Sequence, residues 1–262
     1  MTDHFAAVGL LPEFRVGDVL TNTFRTFFAN FFRFLAFGGV VYGVLLASSA
    51  AINALLFAPI AEESMSATRS LSAPPSPLLM LLPLLIMFLM MTVVQSAIVF
   101  GAIEYQAGRK ASIASMLKVG LRAFVPALCA AILIWVLVSI GMLLLIIPGI
   151  IIALMVSVTI PAIVAEGLGP IAALRRSRLL TAGYRWPILG AIVVVIVVAT
   201  LAQLILSVPA MFLALPIVGG LIALLFTSAM IGVYGSMTAS VYTGLRAAKE
   251  GVLADDVASV FS

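Results

Sequence analysis

The chain has 262 residues, of which 64% are hydrophobic and 9% are charged, and its formal net charge is +4 at pH 7. Soluble domains are roughly 45–50% apolar and about 25% charged. A water-soluble fold is therefore excluded, because a chain of this size could not hide so much apolar surface. The basic charge does not indicate nucleic acid, since membrane proteins carry an excess of Lys and Arg that sets their orientation.

Reactive residue types are scarce in this composition. The chain holds one histidine, His4, and one cysteine, Cys129. One cysteine cannot form an internal disulfide, and one histidine cannot supply a histidine-rich metal site. We therefore expect no enzyme activity, no cofactor and no bound metal.

Six uncharged, apolar runs are long enough, or nearly so, to cross a bilayer core of roughly 30 Å as helices. They are residues 34–59, 78–103, 126–147, 150–165, 187–208 and 216–242. A charge at the centre of a membrane helix costs roughly 2.5–3.5 kcal/mol, so the lack of Asp, Glu, Lys, Arg and His in these runs indicates membrane spans. We predict residues 209–220 to be an apolar interfacial loop or a partial re-entrant turn.

The first predicted element is an amphipathic helix at the end of an N-terminal tail, residues 1–33. Apolar residues recur at helical spacing on one face between Val16 and Phe31, whereas Arg25 and Arg33 share the other face with polar residues. Such a helix either lies in the membrane interface with its basic face toward anionic headgroups or packs on neighbouring protein. The leading segment is too long for a typical signal-peptide n-region, so we expect it to stay uncleaved.

A second amphipathic helix is predicted between the second and third spans. Ser112 is suited to cap it, and Lys118 and Arg122 lie opposite its apolar face. Pro148 and Gly149 then separate the third and fourth spans, and this pair is a strong turn signal. We predict a tight helical hairpin there; the alternative is one long kinked helix.

A third short helix is predicted between the fourth and fifth spans, with Pro170 in its first turn and Gly183 at its end. This region carries four arginines, namely Arg175, Arg176, Arg178 and Arg185. The three within the helix, Arg175, Arg176 and Arg178, do not segregate to one face, so we expect specific partners, which could be Glu166, Glu104 or lipid phosphate. The arginines therefore form either a structural clamp or a site for a ligand or phosphate.

The basic residues fall on one side of the predicted topology. Of the 14 lysines and arginines, all but Arg69 lie on the side of the short helices. By the positive-inside rule, both termini face the cytoplasm. We predict a transmembrane domain at residues 34–245 and a cytoplasmic tail at residues 246–262.

Small residues recur at every fourth position in the first and last spans. The stripe includes Gly39, Gly43 and Ala47 in the first span, and Gly232 and Ser236 in the last. Such stripes let helix backbones approach closely. They predict either packing inside the bundle or a homo-oligomer interface.

The predicted fold is all-α: a polytopic membrane protein with six transmembrane helices and three interfacial helices on the cytoplasmic side. A short basic helix followed by two spans occurs three times, which predicts a threefold helix-plus-hairpin repeat.

Several sequence segments resemble a known family. The order LIIPGIII, PAIVAEGLG and AALRRSRLLTAGYRW in residues 145–186, preceded by YQAGRKASIASMLKVGLRAF in residues 105–124, resembles the membrane-domain family associated with glycerophosphoryl diester phosphodiesterases and related bacterial inner-membrane proteins. The resemblance covers about residues 14–246. It implies a bacterial inner-membrane protein, but not the phosphodiesterase reaction, because we do not expect the soluble metal-binding domain of those enzymes in this chain.

Together these observations favour a non-enzymatic multi-pass inner-membrane protein that organises or senses membrane lipid, or a protein partner, through its basic helices. The expected partners are membrane lipids with anionic headgroups, a second copy of the chain or another membrane protein, and not nucleic acid. The alternative is an uncoupled transporter or a lipid-translocating permease, since spans without ionisable groups argue against coupling to protons or ions.

Overall fold

The computed structural model describes residues 13–63, 77–213 and 216–251, with side chains described at residues 13–48, 50–51, 81, 84–206 and 219–251. Every regular element in these ranges is a helix. The helices are α1 (Val16–Ala29), α2 (Phe31–Glu63), α3 (Pro77–Gln106), α4 (Ile113–Arg122), α5 (Phe124–Leu144), α6 (Ile146–Met155), α7 (Thr159–Glu166), α8 (Pro170–Thr181), α9 (Arg185–Leu213) and α10 (Pro216–Glu250). The predicted all-α class is confirmed.

Six helical segments are long and apolar enough to cross a membrane, as predicted. They are Phe31–Ser48, Leu84–Gln106, Phe124–Leu144, Ile146–Glu166, Arg185–Leu206 and Gly219–Glu250. The chain is therefore an all-α polytopic membrane protein. Its short helices α1, α4 and α8 each precede a pair of these segments.

The predicted hairpin between the third and fourth spans is confirmed, but its turn lies at Leu145, whose backbone is extended with φ −166° and ψ 149°. A Cβ placed on Gly141 would lie 2.9 Å from Cα of Gly149, whereas residues eight apart in one continuous helix are about 12 Å apart. Pro148 is the third residue of α6. Proline is tolerated in a first turn because N–H groups there have no partner within the helix.

Two further boundaries differ from the prediction. The last span was predicted to end at residue 242, but α10 continues to Glu250, so residues 246–250 of the predicted tail are helical. In the ambiguous segment 209–220, α9 extends to Leu213 and α10 begins at Pro216, and residues 214–215 lie outside the described residues. Arg69 and His4 also lie outside the described residues.

The first short helix, α1, packs on the C-terminal half of α10. A Cβ on Gly244 would lie 3.3 Å from the Phe14 ring, and a Cβ on Gly232 would lie 3.1 Å from the Phe27 ring. The two helices therefore run antiparallel. Val19, Thr23 and Phe27 of the predicted apolar face are thus buried against protein, whereas Phe28 of the same face is 70% exposed.

The second short helix, α4, packs on α3 in the same way. Met116 contacts the position of Gly101, and a Cβ on Gly120 would lie 2.7 Å from the carbonyl oxygen of Val93. Glycine at position 120 thus allows α4 to approach the α3 backbone. The third short helix, α8, packs on α7 and the end of α6, where Ser177 makes the contact described below.

These contacts close a ring of three similar units, as the predicted repeat requires. The units are α1–α2–α3, α4–α5–α6–α7 and α8–α9–α10. Each short helix packs on the last helix of the preceding unit: α4 on α3, α8 on α7, and α1 on α10. In addition, α2, α3 and α10 pack on one another.

Because the spans alternate in direction, the short helices all lie at one end of the bundle, with the N-terminal ends of α2, α5 and α9 and the C-terminal ends of α3, α7 and α10. We call this end the basic half, since every described lysine and arginine lies in it, and the opposite end the distal half. The buried hydrophobic side chains of the described structure fall within residues 14–41, 94–130, 154–191 and 231–248. The core therefore lies in the basic half.

Candidate functional site

A cavity of about 640 Å³ lies in the basic half, between the C-terminal end of α3, α4, the start of α5 and the end of α7. Phe100, Ile103, Val119 and Ile163 contribute to its apolar wall. Four charged side chains, Glu104, Arg109, Arg122 and Glu166, also line it. The cavity thus combines apolar walls with a small set of charged groups, which is typical of ligand sites.

Local sequence explains the walls of this cavity. The hydroxyl of Ser112 accepts a hydrogen bond from the Ser115 backbone N–H at 3.1 Å, so the predicted cap of α4 is present. On the other side, Gly167 ends α7 in the left-handed conformation, with φ +63°, which favours glycine. Pro126 lies in the first turn of α5, where its missing N–H costs nothing.

The first charged pair joins Glu104 and Arg109. Nε and Nη2 of Arg109 each donate to one carboxylate oxygen of Glu104, both at 2.7 Å. These hydrogen bonds raise the pKa of Arg109 above its ordinary value, although partial burial opposes them. The carboxylate of Glu104 therefore stabilises the cationic form of Arg109. Glu104 was predicted as a possible partner for the arginines of α8, but Arg109 occupies it.

The second charged group is centred on Glu166. Nε of Arg176 donates to both carboxylate oxygens of Glu166, at 2.9 and 3.0 Å, and the Tyr242 hydroxyl donates to one of them at 2.6 Å. Nη1 of Arg176 also lies 2.5 Å from a carboxylate oxygen of Glu250, which pairs with Arg246. Hydrogen bonds to Glu250 and then to Glu166 raise the pKa of Arg176 against the effect of burial. This network connects α7, α8 and α10.

Arg176 is therefore in the position expected of a structural clamp. Its side chain is 24% exposed and that of Glu166 is 21% exposed, so the pair is shielded from solvent on most sides. Tyr242 and Glu250 were missed in the sequence. A signal existed, because Tyr242, Arg246 and Glu250 are spaced four residues apart and share one face of α10.

The break between α6 and α7 is closed by a side chain from α8. Ser177 Oγ accepts from the Val158 N–H at 3.3 Å and donates to the Met155 carbonyl at 2.8 Å. Backbone groups freed by a broken membrane helix must find partners inside the protein. Ser177, which is fully buried, provides one for each side of the break.

Gln106 forms a third polar junction in the basic half. Its Nε2 donates to Ser240 Oγ at 2.8 Å and to Thr26 Oγ1 at 3.3 Å. Its Oε1 accepts from Thr243 Oγ1 at 2.8 Å. One amide therefore connects α1, α3 and α10, and no sequence pattern had singled it out.

The other predicted basic residues differ in their exposure to solvent and in whether they line the cavity. Arg175 and Arg178 are exposed on α8, and Lys118 is exposed on α4 outside the cavity. Arg122 is exposed at the end of α4 and lines the cavity. Within the described part of the chain, none of these four forms an ion pair.

Three further arginines lie around the N-terminal ends of the spans. Arg25 is exposed on α1, whereas Arg33 donates to Asn30 Oδ1 at 2.8 Å. Nε of Arg185 is buried and has no hydrogen-bond partner among the described residues. None of these side chains lines the cavity.

The small-residue stripe is tight only in part. On α10, Gly232 lies against Phe27 and Phe34, and Ser236 is buried. A Cβ on Gly39 would lie 3.9 Å from Leu224, and one on Gly43 would meet nothing within 4 Å. Ala47 is exposed. At Gly38, one position from Gly39, an added Cβ would overlap Cα and Cβ of Ser228 on α10.

Within the described residues, no group of three or more His, Cys, Asp or Glu side chains comes together as a metal site would require. No family model matches the chain, and no curated protein or solved structure matches it either. The family resemblance noted in the sequence thus stays a prediction.

Proposed function

We propose that this chain is a non-enzymatic multi-pass protein of the bacterial inner membrane, and that it organises or senses membrane lipid by binding anionic headgroups at its basic half. One observation carries the proposal. Arginines already hold Glu104, Glu166 and Glu250, whereas Arg175 and Arg178 are exposed without an ion pair in the described structure. This surplus of positive charge suits an anionic leaflet, where each basic residue contributes about 1 kcal/mol.

The same charge distribution supports the orientation. All described lysines and arginines lie in the basic half. Under the positive-inside rule, that half faces the cytoplasm together with both termini. The basic half then lies beside the leaflet that contains the anionic lipids.

The state of the carboxylates supports a non-enzymatic role. A general base needs a free carboxylate within reach of its substrate. Glu104 receives two hydrogen bonds from Arg109, and Glu166 receives hydrogen bonds from Arg176 and Tyr242. Both acids in the cavity wall are therefore engaged in structural pairs.

An uncoupled transporter or lipid-translocating permease is the second candidate. It is favoured by three buried polar atoms within the spans, namely Gln95 Oε1, Ser228 Oγ and Ser236 Oγ, which have no hydrogen-bond partner in the described structure. A polar path through the bundle would use such atoms. Fluorescent-lipid translocation in proteoliposomes distinguishes this candidate, since the headgroup-binding function requires no transfer between leaflets.

The proposed function is tested by the lipids that surround the protein. The protein is placed in nanodiscs with equal amounts of phosphatidylglycerol and phosphatidylcholine, and the lipids retained after mild delipidation are measured by native mass spectrometry. We expect enrichment of phosphatidylglycerol, and a loss of enrichment in the double variant Arg175→Gln/Arg178→Gln. Arg15→Gln is the matched control, because Arg15 is exposed but already paired with Glu13. Equal retention of the two lipids by the unchanged protein would refute the proposal.

A further inference from the structure

We propose that the 640 Å³ cavity is a specific site for one anionic amphiphile, with an oxyanion headgroup at Arg122 and Arg109 and an apolar chain along the cavity wall. The inference rests on the proposed function and goes beyond it. Adhesion of a leaflet to exposed arginines needs no cavity, whereas this site takes up a single molecule.

The size and lining of the cavity fit such a ligand. Its volume lies within the roughly 300–1,000 Å³ that small-molecule sites occupy. Phe100, Val119, Ile163 and Leu168 provide apolar surface from four different parts of the chain. A wholly polar anion would leave this surface unused, whereas a hydrocarbon chain covers it.

The charges of the cavity select an anion. Glu104 and Glu166 line the cavity, but arginines hold both of them. Arg122 has no ion pair among the described residues, and its cationic group is the unmatched charge of the lining. A cationic ligand would have to displace an arginine to find a carboxylate, whereas an anion meets a free guanidinium.

Arg109 strengthens the anion site. Guanidinium has five N–H donors in a fixed plane, and Glu104 accepts from the one on Nε and from one of the two on Nη2. Nη1 of Arg109 therefore keeps its donors, and the side chain is 38% exposed. Two guanidinium groups can hold one phosphate or carboxylate by charge-assisted hydrogen bonds.

Phosphate and carboxylate share this chemistry, so the headgroup could belong to a phospholipid or a fatty acid. Titration of the full-length protein in neutral detergent, followed by native mass spectrometry, separates these sources. The probes are phosphatidylglycerol, phosphatidylcholine, oleate and inorganic phosphate. We expect saturable binding of one phosphatidylglycerol or one oleate per chain, at least tenfold tighter than phosphatidylcholine or inorganic phosphate. The tighter of the two anionic amphiphiles identifies the headgroup.

Two pairs of variants place the ligand in the cavity. Arg122→Gln removes the free cation, and Lys118→Gln removes an exposed charge of the same helix outside the cavity. Val164→Phe fills the cavity, and Val125→Phe adds the same bulk at a position that is 65% exposed and does not line it. We expect about tenfold weaker binding in Arg122→Gln and no measurable binding in Val164→Phe. Both control variants should stay within twofold of the unchanged protein.

The outcomes separate this proposal from the proposed function. If phosphatidylglycerol is preferred but Val164→Phe binds it as the unchanged protein does, the cavity proposal is wrong and lipid binding at the surface stands. An equal loss in Lys118→Gln and Arg122→Gln leads to the same conclusion. If inorganic phosphate binds as tightly as the amphiphiles, the apolar part of the proposal is wrong. If the protein shows no preference for anionic lipid, both proposals fail.

Thermal unfolding in detergent checks that each variant is folded. The variant Arg122→Lys keeps the positive charge and should therefore retain most of the affinity that Arg122→Gln loses.

Discussion

The basic half and the distal half of the bundle are built from the same apolar helices but are held together differently. In the basic half, short helices lie along the long ones, and Glu166, Ser177 and Gln106 each connect separate helices through hydrogen bonds. In the distal half, described apolar side chains are mostly exposed, with Leu143 at 88% and Ile205 at 71%.

This difference follows from the solvent. Lipid is as apolar as leucine, so a bilayer gives no hydrophobic drive for the distal helices to associate. Polar groups at the basic half gain by pairing with one another, because the alternative is a partly buried polar group without a partner. Stability should therefore be concentrated in the basic half, and substitutions of the same kind should have unequal effects in the two halves.

The largest contrast is expected at glycines of α2. Gly38→Leu should lower the free energy of unfolding by about 3 kcal/mol, since even a Cβ there would overlap Cα and Cβ of Ser228 on α10. Gly43→Leu is the control, because nothing lies within 4 Å of a Cβ at that position. Unfolding by titration with a denaturing detergent measures both. Similar losses in the two variants would contradict the proposed difference between the halves.

A smaller effect is expected when the ion-pair network loses its centre. Arg176→Gln should lower the free energy of unfolding by about 2–3 kcal/mol, because Glu166 and Glu250 would remain partly buried without their main cation. The exposed neighbour Arg175, changed to Gln, should cost less than about 0.5 kcal/mol. The same unfolding titration applies. Equal stability of the two variants would show that the network contributes nothing to the basic half.

Next comes the hydroxyl that closes the broken span. Ser177→Ala should lower the free energy of unfolding by about 1–2 kcal/mol, because the Val158 N–H loses its side-chain partner and the Met155 carbonyl keeps only the longer hydrogen bond from Thr181 Oγ1, at 3.4 Å. Thr200→Ala in the distal half removes a hydroxyl whose one hydrogen bond in the described structure is to the Ile196 carbonyl of its own helix, and this variant should be nearly as stable as the unchanged protein. Amide exchange of Val158 provides a local readout. Unchanged exchange in Ser177→Ala would contradict the assigned role.

The smallest effect is expected at Gln106. Gln106→Leu should cost about 1 kcal/mol, since Ser240 and Thr243 keep hydrogen bonds to carbonyls of their own helix when the amide is lost. Gln203, exposed in the distal half, gives the matched change Gln203→Leu. In the unfolding titration, the free energy of unfolding of Gln106→Leu should be lower than that of the unchanged protein. That of Gln203→Leu should be the same as that of the unchanged protein. The reverse order would locate the polar stabilisation in the distal half.

Apolar length and charge placement were enough to predict the all-α class, the six spans and the threefold organisation. The length of the spans depends on bilayer thickness, which acts on any sequence in the same way. The turn of the hairpin was misplaced because Pro148 breaks a helix interior but is accepted in a first turn. The sequence could not decide whether α1 lies in the membrane interface or packs on protein, since an apolar helix face is stabilised in both environments.

The candidate site was only partly visible in the sequence. The partnership of Glu166 with an arginine of α8 was among the possibilities predicted, since the two are only ten residues apart. Tyr242 and Glu250 come from a helix more than 70 residues further on, and nothing local indicates that α10 extends beside α8. The cavity depends on how four segments pack, which no spacing rule specifies.

The docking of α1 on α10 has a consequence for biosynthesis. The ribosome delivers the α1 sequence long before its docking surface on α10, because the contacts of Phe14 and Phe27 are with Gly244 and Gly232. Until α10 has been synthesised, the apolar face of α1 lacks the helix on which it packs, and the membrane surface or a chaperone would have to cover it. Synthesis of α10 thus completes the ring, and a nascent chain that stops before Gly232 leaves α1 undocked.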